Sequence, residues 1–339
     1  MSTSERMAIK HWPYEEFVNL GINCGRTIKH FIQTMNTLSH KINASIAGAS
    51  NNKAEAKAIC RLIDNDKLTE QVILDAHRKA TIQRIKESGQ TTILSVQDTS
   101  MLNYTSLTKT EGLGDFGGKI RDRGLIVHSA LAVTTQGIAL GLLDQKIWTR
   151  DPAEHGKSEE TKRRKPIEDK ESYKWLVSMD KSQLGMPKGI RVVHVGDREA
   201  DIYEFFDYAT TNHQDFLVGV VQNRITTEAC KLFDKIKSEP SAGEIAVHIP
   251  RDTRRNVPAR TATLEVKYSQ VHILAPFNMP KRFVKNQSVA LSILLVTESN
   301  PPEGMNPIEW YLATSINISS VDDAYSDKHW ATILIIHGH

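Results

Sequence analysis

Two aspartates carry the chemistry that this sequence suggests most directly. Val192, Val193 and Val195 form a short β-branched run, Gly196 breaks it, and Asp197 follows. Ile202, Phe205, Phe206 and Ala209 then recur at helical spacing. About a hundred residues earlier Thr91–Val96 reads as a strand, ended by Gln97-Asp98-Thr99-Ser100. A carboxylate at the C-terminal end of a strand lies at the edge where α/β sheets place their ligands. Paired carboxylates offer hard oxygens to Mg²⁺ or Mn²⁺, and such ions assist attack on phosphodiesters. Asp197 has a second reading as the N-cap of the helix behind it, since Asp is a favoured cap.

The chain of 339 residues is long enough for two or three structural units, and 40% hydrophobic content supports packed cores. A net charge of +3 permits a nucleic-acid partner without requiring one. Cys24, Cys60 and Cys230 are far apart with no CxxC spacing, which gives no metal site and suits a reducing compartment. Met1–Lys10 is polar and charged, unlike a signal peptide, and no apolar run reaches the ~18–20 residues that span a bilayer. A cytoplasmic protein with no membrane partner is expected.

Residues 1–86 read as all-helical. His11-Trp12-Pro13 starts one helix, Ile28, Phe31, Ile32 and Met35 line a second, Asn52 and Glu55 suggest a capping box, and Thr69–Ile85 forms a further helix. Arg26, Lys29, Lys41, Lys57, Arg61, Arg78, Lys79 and Arg84 decorate these helices; they read equally as a phosphate-binding surface or as a solvated face. From Gln90 the period changes. Leu125–Thr134 and Ile138–Ile147 read as a hairpin, 151–170 as a charged linker, Ser172–Leu184 as a helix and Asp215–Val221 as a strand. Residues 222–315 read as β-rich, with strands at Glu244–Ile249, Thr261–Tyr268, Val271–Ala275 and Val289–Thr297 and a basic loop from Arg251 to Arg260. The end, WATILIIHGH, is a short apolar tail; His337 and His339 suggest a frayed terminus over a metal site.

The order strand with Asp98, hairpin, helix, strand with Asp197, helix, strand resembles a ribonuclease-H-like core. Several motifs agree with one family. Val96–Tyr104 and Gly196–Tyr203 resemble the two catalytic-acid motifs of the insertion-sequence-four transposases, typified by the Tn-five transposase. Further matches are Val127-His128-Ser129, Gly141-Leu142-Leu143 with Trp148 and Arg150, Lys170-Glu171-Ser172 with Lys174-Trp175-Leu176, Asn256 with Pro258-Ala259-Arg260, and Asn300–Gly304 before Trp310. The resemblance runs from about Trp12 to Ala324 and keeps the family's order.

The resemblance implies an α/β fold with four parts: a helical DNA-binding domain (1–86), a ribonuclease-H-like catalytic core (87–221), a β-rich insertion (222–323) and an atypical tail (324–339). It implies DNA cleavage and strand transfer with Mg²⁺ or Mn²⁺ held by Asp98 and Asp197. Double-stranded transposon ends would be bound by Lys29, Arg61, Arg224, Arg254, Arg255 and Arg260. The family's third acid, a glutamate in a Tyr-x2-Arg-x3-Glu-x6-Lys pattern, has no counterpart: Glu309 is the last glutamate of the chain. The C-terminal helices that pair two protomers in the family are missing with it, and Gly219 stands where relatives carry an arginine. The expected protein is therefore a truncated transposase, incomplete in catalysis, with Asp322 or Asp323 as the first substitutes for the missing acid. Its rivals are a non-catalytic DNA-binding remnant or inhibitor of transposition, and a metal-dependent phosphatase or nuclease.

Overall fold

The apolar period changes from helical to alternating near residue 90, and the chain changes from helices to strands at the same place. The computed structural model describes residues 12–115, 122–150, 165–251 and 257–319. Residues 12–17 form a short helix. It is followed by α1 (Gly25–Ser39), α2 (Ile46–Ala49), α3 (Lys53–Ile63) and α4 (Glu70–Glu87). Their starts are chemically marked. The Asn52 side chain accepts from Glu55 N at 2.9 Å, and Thr69 caps α4 through Val72 N. The expected box at α3 is displaced by one residue, because Glu55 reaches back to Asn51 N, at 2.7 Å, rather than to Asn52. Phe17, Leu20, Phe31, Leu62 and Ala76 close the helical core, with Phe17 and Phe31 edge to face at 5.0 Å.

Helix α4 belongs to two cores. Ala76 packs into the helical one, while Ile82 and Ile85 pack on Ile93, Ala130, Ala132 and Leu143 of the sheet. A polar knot reinforces this joint. Arg84 pairs with Glu16 at 2.7 Å and donates to Leu140 O, and His77 contacts Glu16 through Nδ1 and accepts from Leu142 N, at 2.8 Å, through Nε2.

The remaining elements form a mixed α/β structure on one ten-stranded, mostly antiparallel sheet. They are β1 (Thr92–Asn103), β2 (Gly114–Asp115), β3 (Arg123–Thr134), β4 (Ala139–Trp148), α5 (Tyr173–Gln183), β5 (Arg191–Gly196) and α6 (Tyr203–Thr211), then β6 (Asp215–Gly219), α7 (Leu232–Ser238), β7 (Gly243–Ile249), β8 (Arg260–Leu274), β9 (Ser288–Glu298) and β10 (Glu309–Thr314). From the edge where β2 and β4 both pair with β3, the order is β3-β1-β5-β6-β10-β9-β8-β7. Strands β5 and β6 run parallel to β1, as their helical connections require, and the other pairings are antiparallel.

Three differences from the sequence reading stand out. The two strands expected at 261–268 and 271–275 are one, β8, because Ser269 and Gln270 stay in register with Ile293 and Ser292 instead of turning. The segment 309–314 is a central strand, β10, and it joins β6 to the later strands in a single sheet. Residues 232–238, within the stretch read as β-rich, form helix α7.

The sheet faces differ. Residues of α5, α6 and α7 pack with Phe216, Val218, Ile293 and Leu295 on one face. The opposite face carries Leu94, Val96, Val193, Val195, Leu217, Leu294 and Leu312, with Ile316 and Ile318 laid against them. No described helix contributes to that second cluster. Each fully buried aliphatic side chain there contributes about 1.5–3 kcal/mol.

Candidate metal and nucleic-acid site

Asp98 lies on β1 and Asp197 directly follows β5, and the two strands pair in parallel. On the parallel pair β1–β5, Ile93 lies opposite Val192 and Val96 opposite Val195. The paired register ends there; continued by two residues it aligns Asp98 with Asp197, which lies just past the end of β5 with its backbone still extended at φ −77°, ψ −166°. Adjacent strands lie about 4.8 Å apart, and residues at steps of two share a face. By strand alternation both aspartates fall on the face of Val96 and Val195, the one without a described helix. Asp98 is exposed and Asp197 half-buried. Asp98 lies inside β1 and not at its end; β1 runs on to Asn103 beside β3, and it is β5 that stops.

Asp197 also acts as a cap. It begins the 3₁₀ turn Arg198–Ala200 and accepts from Glu199 N at 2.9 Å through Oδ1. The cap and ligand roles are compatible, since a carboxylate oxygen has two lone pairs and Oδ2 is separate. Gly196 is needed for this turn: a Cβ there would come within 2.7 Å of the Ala200 Cβ and 3.2 Å of the Trp175 ring.

Motif residues that the sequence could relate only by their order converge on the other face. Lys174 is buried, with Nζ over the rings of Trp148 and Trp175 at 5.8 and 5.7 Å, and pairs with Glu199 at 3.4 Å. Arg150 grips Glu171 at 2.7 and 3.0 Å. Burial pushes the Glu171 carboxyl up, but Arg150 and Lys174 overcome it and hold the group below its ordinary range. Lys170 pairs with Glu204 at 2.8 Å at the start of α6. His128 bridges Thr99 (3.0 Å) and Gln97 (3.2 Å) and stacks edge-on against Trp175. Burial, with Lys174 and Lys146 nearby, pushes its pKa down to about 3, so the imidazole is neutral and locks β1 to β3 beside Asp98. Glu199 reaches to this side, away from the aspartate face. Among the described residues no group of three or more His, Cys, Asp or Glu side chains converges as a ligand set. The donor chemistry at Asp98 and Asp197 still fits a hard divalent cation such as Mg²⁺, for which two carboxylates suffice as protein ligands and water or phosphate oxygens complete the coordination.

The expected DNA contacts divide. Lys29 on α1 and Arg61 on α3 are exposed, and Lys53, Lys57 and Arg61 recur at every fourth residue along α3. No hydrogen bond or ion pair holds Lys29 or Arg61 among the described residues. Arg224 has a different task. It pairs with the fully buried Asp201 through Nη1, donates to Asp201 O at 2.9 Å, and lies over the Phe206 ring. Asp201 also accepts from Val221 N and Gln222 N at 2.7 Å, which pins the loop leaving β6. Arg260 is likewise committed, as a two-pronged partner of the buried Glu298. The family resemblance implied DNA contact for both, and in the structure each is held by a buried carboxylate. Arg254 and Arg255, the 324–339 tail and Asp322 and Asp323 lie outside the described residues.

No family model matches the chain. Among solved structures, a piggyBac transposase in a synaptic complex with hairpin DNA is similar, with 11% identity and a TM-score of 0.38. The match covers 97% of this chain and 64% of that one, so the chain spans just under two thirds of that transposase. No helix among the described residues is long and apolar enough to cross a membrane.

Proposed function

We propose that this chain is a transposase of the insertion-sequence-four type, built on a ribonuclease-H-like core, that binds duplex DNA and holds Mg²⁺ or Mn²⁺ between Asp98 and Asp197. One observation carries the reading: the parallel register of β1 and β5, which brings two distant motif aspartates level on one sheet face. The succession of an antiparallel hairpin and two helix-linked parallel strands supports it. The cation, when bound, supplies Lewis-acid stabilisation and lowers the pKa of its water. The protein's own part is positioning. Asp197 is fixed by its bond to Glu199 N, Asp98 by the Gln97–His128–Thr99 bridge beside it, and the Lys174–Trp148–Trp175 layer supports the turn from behind.

Lys29 and Arg61 favour DNA over a small phosphate ester as the partner, because they lie on helices outside the sheet and have no carboxylate to neutralise. Two protomers pairing on transposon ends, as in the family, are part of the same reading. Mn²⁺ binding by the 339-residue chain, measured by calorimetry, tests the metal site. Asp98→Ala and Asp197→Ala are each expected to lower the affinity by at least about tenfold. Unchanged binding in both variants would refute the proposal.

A further inference from the structure

Gly219 ends β6 in the same row as the two aspartates, since Gly196 lies opposite Val218. A Cβ at Gly219 would meet the Arg198 Cγ at 3.4 Å, Arg198 N at 3.5 Å and the Asp197 carbonyl carbon at 3.7 Å. The stem of Arg198 therefore lies alongside Gly219, in contact range of a side chain at that position and next to Asp197. Arg198 is exposed. No hydrogen bond or ion pair holds its guanidinium among the described residues, although two aspartates stand close by. The other cations near this edge are engaged: Arg224 with Asp201, Arg150 with Glu171 and Lys174 with Glu199. An arginine left open beside a carboxylate pair suits a phosphate, whose oxygens match the planar fork.

We infer that Arg198 is a phosphate-positioning residue, which grips the DNA backbone beside the metal-binding aspartates. The inference rests on the proposed function above. A Cβ at 219 would lie against the arginine stem at ordinary contact distance. The ligand of Arg198 is a backbone phosphate of duplex DNA, so it adds affinity and register without reading sequence.

The test uses the whole chain and a fluorescein-labelled duplex of mixed sequence, with binding followed by anisotropy across a salt series and Mn²⁺ binding followed separately by calorimetry. Arg198→Ala is expected to weaken DNA binding and to reduce the log–log salt slope by about 0.9, with Mn²⁺ affinity and melting temperature unchanged. Arg198→Lys should keep the slope and bind more weakly than the parent. The double variant Arg198→Ala/Gly219→Arg should regain the slope, since removal of the Arg198 stem clears the nearest side-chain atom from position 219. An unchanged slope in Arg198→Ala would overturn the inference, and so would a loss of slope accompanied by loss of Mn²⁺ binding or folding. The metal reading fails separately, if Asp98→Ala and Asp197→Ala leave Mn²⁺ binding intact.

Discussion

Arg224 and Glu16 give the clearest tests at the scale of single residues. Arg224→Ala leaves the buried Asp201 carboxylate without its cation, and breaking such a pair costs about 3–5 kcal/mol. Urea unfolding should show that loss. The salt slope for DNA should stay at the parent value, and a fall by one phosphate contact would instead restore Arg224 as a DNA ligand. At Glu16, burial raises the carboxyl pKa, but His77 and Arg84 overcome it and bring it down to about 2, from an ordinary 4.5. A depressed folded pKa gives stability that is present above about 4.5 and is lost as pH falls toward 2. Glu16→Gln should therefore be less stable than the parent at neutral pH, by about 2 kcal/mol, and the gap should close through that window. A gap of constant size from pH 7 to 3 would contradict the account. Partners such as these were not legible in the sequence. The resemblance named Arg224 and Arg260 as DNA contacts, and only the fold reveals Asp201 and Glu298 beneath them.

At the scale of elements, the strand–turn–helix unit around Asp197 and the helical unit each carry a prediction. Gly196→Val forces a branched side chain against Ala200 and Trp175, so it should cost about 1–3 kcal/mol and weaken Mn²⁺ binding by displacing the turn. Valine tolerated here, with metal binding unchanged, would mean that the turn does not set the site. On α1 and α3, Lys29→Ala with Arg61→Ala should lower the DNA salt slope by about 1.8, as expected for two lost phosphate contacts; an unchanged slope would return both residues to the solvated-face reading. Much at this scale was legible. The hairpin, the α5 helix and the valine strand announce themselves by period and by glycine punctuation. Ser269-Gln270 misled because two polar residues resemble a turn, whereas Gln270 donates across the sheet to Ser292 Oγ at 2.6 Å. Strand β10 is short, and what makes it central is pairing with β6 and β9 far away in sequence, which local pattern does not contain.

For the whole molecule, the informative fact is that two strands whose motifs lie a hundred residues apart pair in parallel. Periodicity identified each strand, but not their pairing; the expectation that the two aspartates come together came from the family resemblance. The central claim is that Asp98 and Asp197 share a cation, and a double-mutant cycle of Mn²⁺ affinity measures it most directly. If they share one ion, Asp98→Ala, Asp197→Ala and the double variant lose affinity to nearly the same extent, far short of additivity. Additive losses, or a loss in only one single variant, would contradict it.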